Sequence, residues 1–224
     1  MTGAPTGQIN ADNFLVSDYS SVTIGSTGAF TDTGYLAITG FQLGGITLVT
    51  PGLNSTYGMY IAFSGAGTTT TGNLATTATS GTFSSLTYSL YGYSGGPATF
   101  GFSGNTATVA SPATTLLAQG SLDFGSVGTL PAGDNASFTP SASATLTFNV
   151  VDNAFFVSPN PFYNTSLTAF TNTTSEITPF DGGFKITQGG GSFNLVSAVP
   201  EPGTYGMLAA GLGAIAFVAR RRRS

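Results

Sequence analysis

Apolar and polar residues alternate in short segments over residues 10–198, with a period of two. Leu86, Tyr88 and Leu90 are separated by hydroxyl residues, and the same alternation continues from Ala144 to Val150. Successive side chains of a strand point to opposite faces, so these segments predict antiparallel strands with one face on a core and one in water. Residues 57–63, YGMYIAF, lack polar positions and predict a central strand buried on both faces.

Glycines divide this region into many short elements. They occur as pairs or triplets at 44–45, 65–67, 95–97 and 189–191, where we expect turns. Residues 66–80, AGTTTTGNLATTATS, are predicted to form a loop or an edge strand. No helical periodicity longer than two turns precedes Tyr205. Ten or more strands predict an all-β class, with residues 1–198 forming one antiparallel β-sandwich or jelly-roll-like domain.

The last 26 residues, 199–224, break this pattern. From Gly203 to Ala219 there are 17 uncharged residues, and four arginines, Arg220, Arg221, Arg222 and Arg223, follow. A helix over this span is about 25 Å long, close to the roughly 30 Å of a hydrocarbon core. The segment predicts a single C-terminal transmembrane helix with the arginines in the cytoplasm and the rest of the chain outside. An amphipathic or buried helix is disfavoured, because the span has no polar face.

Charge is scarce and unevenly distributed. Charged residues make up 6% of the chain, against roughly 25% in an average soluble domain. Up to Val199 the chain has eight acids and one base, Lys185, so its net charge there is −7. An acidic body repels phosphate, which argues against nucleic acid as a partner. With no cysteine and no histidine, a disulfide framework, a zinc site and a Cys/His nucleophile are excluded.

The tail resembles the PEP-CTERM sorting signal. The resemblance lies in Val199, Pro200, Glu201 and Pro202, then a glycine-containing apolar span, then the arginine cluster. It implies processing by an exosortase, near Pro200–Pro202, in a Gram-negative bacterium with an exopolysaccharide system. It also implies a transient inner-membrane anchor and final release to the cell surface or extracellular matrix. Residues 1–14 have no basic residue and no long apolar core, whereas the family normally carries an N-terminal secretion signal, so we expect a missing leader.

The body resembles, more loosely, the flocculation-associated PEP-CTERM proteins. The similar stretches are residues 10–24, 57–68 and 151–164. The resemblance implies a secreted product that helps cells to associate with polysaccharide.

Few residues could carry catalysis or bind a metal. Paired carboxylates can hydrolyse glycosides without histidine, and the candidates are Asp123, Asp134, Asp152, Glu176 and Asp181. Most acids, including Asp12, Asp18 and Asp32, have neighbours typical of turns, so we expect structural roles for them. Calcium at Asp12, Asp18 or Asp152 has no supporting repeat. We therefore predict no catalytic residue, no cofactor and no metal site.

Tyr88, Tyr91 and Tyr93 cluster beside Gly92, Gly95 and Gly96. An exposed row of tyrosines could stack on sugar rings, whereas the plainer interpretation is ordinary strand aromatics.

Three functions fit this chain. The first is a non-enzymatic surface or matrix protein that promotes flocculation or biofilm association with exopolysaccharide, or with copies of itself. The alternatives are a secreted carbohydrate-binding module and a glycoside hydrolase. We favour the first, because a surface of hydroxyls and amides has little charge to keep molecules apart.

Overall fold

A computed structural model describes residues 8–131, 138–157, 165–171 and 176–195. These residues form β-strands that pair antiparallel, which confirms the predicted all-β class. The strands are β1 (Asn13–Ile24), β2 (Ala29–Leu43), β3 (Ile46–Thr47), β4 (Tyr57–Thr69), β5 (Thr79–Ser94), β6 (Thr99–Ser103), β7 (Thr106–Ala110), β8 (Thr114–Pro131), β9 (Phe138–Leu146), β10 (Asn149–Val150), β11 (Thr165–Thr171), β12 (Ile177–Phe180) and β13 (Gly183–Asn194).

Eleven strands form one sheet, and β6 pairs with β7 in a separate hairpin. The pairings run from β1 through β13, β11, β9, β8, β5, β4 and β2, and β2 pairs with β1 again. This curled sheet differs from the two facing sheets of the predicted sandwich. The reason is the pairing of β1 with β13 on one side and with β2 on the other, which joins the strands in one sheet. Register shifts such as those at Asp18/Ser20 and Leu90/Tyr91 bend them without interrupting the pairing.

The two ends of the curled sheet can be identified from the register. At the exit end, where β13 stops, Asn194 lies opposite Asn13, which in turn lies opposite Gln42. At the far end, β1 turns into β2, and the Ile24 amide donates to the Gly182 carbonyl in the turn between β12 and β13.

Side chains that alternate along the strands fill the interior. The main core contains fully buried residues from most strands, among them Ile38, Ile61, Leu90, Leu117 and Phe193. A smaller cluster of Val22, Phe138, Phe184 and Ile186 closes the far end. Leu86, Tyr88 and Leu90 all face the core, which confirms the alternation predicted for this segment.

The predicted turns are correct in part. Gly44 and Gly45 form a tight turn in which both residues have positive φ, as glycine allows. The glycines at 65–67 lie inside β4, and those at 189–191 lie inside β13, so the turns expected there are wrong. At Gly67 a Cβ would collide with the ring of Phe30, so this glycine makes room for a core aromatic.

Residues 66–80 include the predicted loop but no edge strand, because β4 and β5 each pair with a strand on both sides. Thr69 ends β4, and Thr79 begins β5, with a loop between them. The predicted strand over residues 144–150 is interrupted, because β9 ends at Leu146 and β10 begins at Asn149.

The close approach of β1 and β2 can be tested by a substitution at Gly34. A Cβ at this position would lie under 3.0 Å from the backbone of Tyr19 and Ser20, which cannot move without breaking the pairing. We expect Gly34→Ala to destabilise the fold by about 1–3 kcal/mol, measured as a lower urea midpoint. Gly190→Ala is the matched control, since a Cβ there meets nothing within 4 Å. Equal midpoints for the two variants would contradict the prediction.

Candidate functional site

Two carboxyl groups lie inside the curled sheet, on neighbouring strands. Asp18 and Ser20 of β1 and Asp32 of β2 all point inward, and Asp18 is 0% and Asp32 6% exposed. The Ser20 hydroxyl donates a hydrogen bond of 3.2 Å to Asp18 Oδ2. The Oδ1 atoms of both acids are buried without a hydrogen-bond partner. We call these three residues the acid pair with its serine.

Burial changes the proton affinity of both acids. It raises the pKa of Asp18 well above its usual value, and the negative charge of Asp32 raises it further, while the Ser20 hydrogen bond lowers it. Burial also raises the pKa of Asp32, to about 7, against a lowering effect of Ser20. A protonated carboxyl loses less solvation on burial than a charged one, so burial favours the neutral form of both acids.

The space beside Asp32 is small. A cavity of about 50 Å³ separates it from residues such as Phe30, Val127 and Ile186. That volume holds a few water molecules, whereas small-molecule sites measure roughly 300–1,000 Å³. A sugar ring does not fit beside these carboxyls, so the geometry gives no support to glycoside hydrolysis at the pair.

The expectation that Asp18 and Asp32 occupy turns is wrong, since both lie within long strands. The burial of Asp18 could have been predicted from the alternation of apolar residues in β1. One face of this strand carries Phe14, Val16, Asp18, Ser20 and Val22. An acid at an inward position of an alternating strand is buried, and sequence reasoning missed this consequence.

The other acids are not brought together. Asp12 accepts from the Gly44 amide at 2.8 Å, and Asp152 accepts from the Ala154 amide at 2.9 Å. Asp123 is exposed in β8, Glu176 and Asp181 adjoin β12, and Asp134 lies outside the described residues. In the described part of the chain, no three Asp, Glu, His or Cys side chains are grouped closely enough to hold a metal ion.

The three tyrosines of the predicted sugar platform do not share an exposed face. Tyr88 is 4% exposed and points into the core, where its hydroxyl donates to the Thr147 carbonyl at 2.8 Å. Tyr93 is 2% exposed on the opposite face, and its hydroxyl oxygen accepts from the Ala98 amide. Tyr91 is half-buried. Tyr88 and Tyr93 are buried on opposite faces of β5, because even-numbered and odd-numbered residues of a strand point to opposite faces.

The β6–β7 hairpin covers an aromatic cluster on the outer face of the sheet. Phe100 of β6 stacks on Tyr19 at a centroid distance of 5.1 Å and contacts Tyr35 and Tyr60 at 6.3 and 5.9 Å. This cover explains why the start of β4 is buried on both faces, as its composition predicted.

Lys185 holds the tip of this hairpin. Its ammonium lies 5.5 Å from the ring centroid of Phe102 and donates to the Gly104 carbonyl at 3.4 Å. The single base of the body therefore contributes to internal structure, and only in part to the surface charge.

A neutral groove crosses the outer face of β4, β5, β8 and β10. Its volume is about 560 Å³, and its lining residues carry no charge. The register aligns hydroxyl and amide side chains in two rows across neighbouring strands. We call these rows the polar ladder: Ser64, Thr87 and Ser121 in one, and Ser89, Gln119 and Asn149 in the other.

The predicted sorting residues lie outside the described residues. These are Val199 to Pro202 and Arg220 to Arg223, together with the apolar span between them. Within the part of the chain that the structure describes, no helix is long and apolar enough to cross a membrane.

Comparison with known proteins supports the interpretation of the tail. Residues 198–223 match the family model of the PEP-CTERM protein-sorting motif. No curated protein matches the chain, and no solved structure matches it.

The acid pair makes stability depend on pH. Its pKa values are raised on folding, so the folded state binds more protons than the unfolded state, and stability falls as pH rises from about 4 towards 7. We expect the urea midpoint to be higher at pH 5 than at pH 8. Asp32→Asn should flatten this dependence and stabilise the protein at pH 8 by roughly 2–4 kcal/mol.

Asp181→Asn is the matched control, because it removes a carboxylate from an exposed turn without touching the core. A wild-type midpoint that rises between pH 5 and pH 8, or an Asp32→Asn variant with the wild-type pH dependence, would refute this account.

Proposed function

We propose that this chain, which carries a PEP-CTERM sorting motif and is therefore an exosortase-sorted extracellular protein, is a non-enzymatic component of the extracellular matrix. In this proposal it promotes flocculation or biofilm formation by associating with exopolysaccharide at the cell surface. The single observation that carries the proposal is the match of residues 198–223 to the sorting motif. That motif implies export, a transient membrane anchor and processing by an exosortase.

The polar ladder supports glycan association. Hydroxyl and amide groups both donate and accept hydrogen bonds, as do the hydroxyls of a neutral sugar chain. Exposed hydroxyls such as Ser64, Thr87 and Ser121 repeat along one row, so successive sugar units can be met by similar groups. Because the lining carries no charge, this association should be insensitive to salt.

A carbohydrate-binding module is the second candidate, and the same groove favours it. The two candidates differ in selectivity. Saturable binding to one defined glycan indicates a module, whereas binding to the bulk exopolysaccharide of the producing cells indicates a matrix protein. Self-association is the remaining route into a matrix, and the low charge of the body favours it.

Processing can be measured directly on the native protein. We expect the mature chain to end near Pro200–Pro202 and to lack Arg220 to Arg223, because the exosortase releases the body from its anchor. Mass spectrometry of the C-terminal peptide from intact cells and culture fluid gives the answer. A mature chain that still ends at Ser224 would show that the tail is only an anchor.

Glycan association can be tested by placing a charge in the polar ladder. Gln119→Glu keeps the size of the side chain but adds a carboxylate that glycan hydroxyls solvate less well than water does. We expect binding of the full-length chain to immobilised exopolysaccharide to weaken about fivefold, corresponding to roughly 1 kcal/mol.

Gln188→Glu, exposed on β13, adds the same charge elsewhere on the sheet and should bind like the wild type. If both variants bind equally, the polar ladder is not the contact surface. If the wild type turns over members of a glycan panel, the non-enzymatic part of the proposal fails.

A further inference from the structure

The exposed apolar side chains of the body are concentrated at the exit end. In the described residues, eight large hydrophobic side chains are exposed, and only Phe124 and Leu130 of β8 lie away from this end. The other six belong to the N-terminal approach to β1, the β2–β3 hairpin with its following loop, and the segment after β10: Ile9, Leu43, Ile46, Val49, Val151 and Val157.

The β2–β3 hairpin projects beyond the exit end of β1 and β13. Gln42 pairs with Thr47 at the level of Asn13 and Asn194, and the pair Leu43–Ile46 and the Gly44–Gly45 turn lie beyond that level. Ile46 is 72% and Val49 92% exposed. β1 lies between β13 and β2, so the tip of the hairpin is two strand spacings, of about 4.8 Å each, from β13. The tip is therefore within about 15 Å of the residue at which β13 ends.

The length of the following chain limits the distance between this end and the membrane. Leu195, held by its amide to the Asp12 carbonyl, is eight residues before Gly203, where the apolar span begins. Eight residues reach at most about 29 Å when fully extended. Before processing, the exit end is therefore the part of the body that is tethered close to the bilayer.

From these observations we infer that the exit end is a lipid-contacting surface, on which Leu43, Ile46 and Val49 rest against the bilayer until the anchor is cleaved. The surface acts by burial of apolar side chains in the interfacial region. The acids at this end, Asp12 and Asp152, accept hydrogen bonds from the Gly44 and Ala154 amides but keep their negative charge, so they repel anionic lipids. Salt screens this repulsion, and contact made by apolar side chains should therefore not be weakened by salt.

The inference rests on the membrane anchor of the sorting motif, and the experiment separates the two. The chain has no cysteine, so Val49→Cys, Asp181→Cys and Ala210→Cys each create a single site for an environment-sensitive fluorophore. The full-length variants are placed in nanodiscs of phosphatidylethanolamine and phosphatidylglycerol, with or without bromine on the acyl chains. Bromine quenches fluorophores that touch the acyl region.

We expect the Ala210 label to be quenched strongly, the Val49 label about twofold, and the far-end Asp181 label hardly at all. Ile46→Ser in the Val49→Cys background should reduce the quenching, and high salt should not reduce it. The added serine is exposed, so folding should not suffer.

Three results would overturn the inference. Quenching at Ala210 but not at Val49 would leave the anchor in place and refute the lipid surface, including cases in which the exit end meets another protein. Equal quenching at Val49 and Asp181 would refute the orientation. Absence of quenching at Ala210 would remove the anchor, and with it both the inference and the sorting route on which it depends.

Discussion

The double pairing of β1 organises this protein. Because β1 binds β13 on one side and β2 on the other, the first and last long strands of the body are joined, and the sheet curls around one interior. The same constraint positions the acid pair, since Asp18 and Asp32 are on the strands that meet there. It also fixes the exit end, because the chain leaves the body from a strand that is held between two neighbours. Long-range pairing of this kind involves residues up to 181 positions apart, Asn13 and Asn194, which makes the N- and C-terminal parts of the body mutually dependent.

A closed interior also explains how so little charge suffices. A soluble domain normally keeps its strands apart from those of its neighbours with charged edges. Here most of each long strand is hydrogen-bonded on both sides, so hydroxyl and amide side chains can cover the outer face. The polar ladder and the aromatic cluster occupy different parts of this face, and the β6–β7 hairpin covers the second of them. The sparsely charged surface that remains is consistent with the proposed association with polysaccharide.

The alternation of apolar residues was enough to predict strands and class, because period two is a local property. Leu86–Leu90 shows this clearly. The alternation could not predict the order of the strands, since nothing local in residues 13–24 specifies β13 as a partner. The turns predicted at 65–67 and 189–191 are wrong, because glycine occurs both in turns and where strands pack closely. Only the position of the neighbouring strand distinguishes these two roles. The predicted row of tyrosines does not form, because Tyr88 and Tyr93 point to opposite faces of β5. By contrast, the sorting motif was readable because it depends on the order of residues rather than on a fold.

The attachment of Lys185 to the hairpin has a consequence for survival outside the cell. Trypsin-like proteases cut only after lysine or arginine, and residues 1–219 offer them this one position. It lies inside β13, where the register pairs it with Ser21 on one side and Thr178 on the other. A protease needs an unpaired, extended segment in its cleft, so the bond after Lys185 is shielded as long as the sheet persists. After export, the one tryptic site of the body is therefore held within the hydrogen bonds of its own sheet.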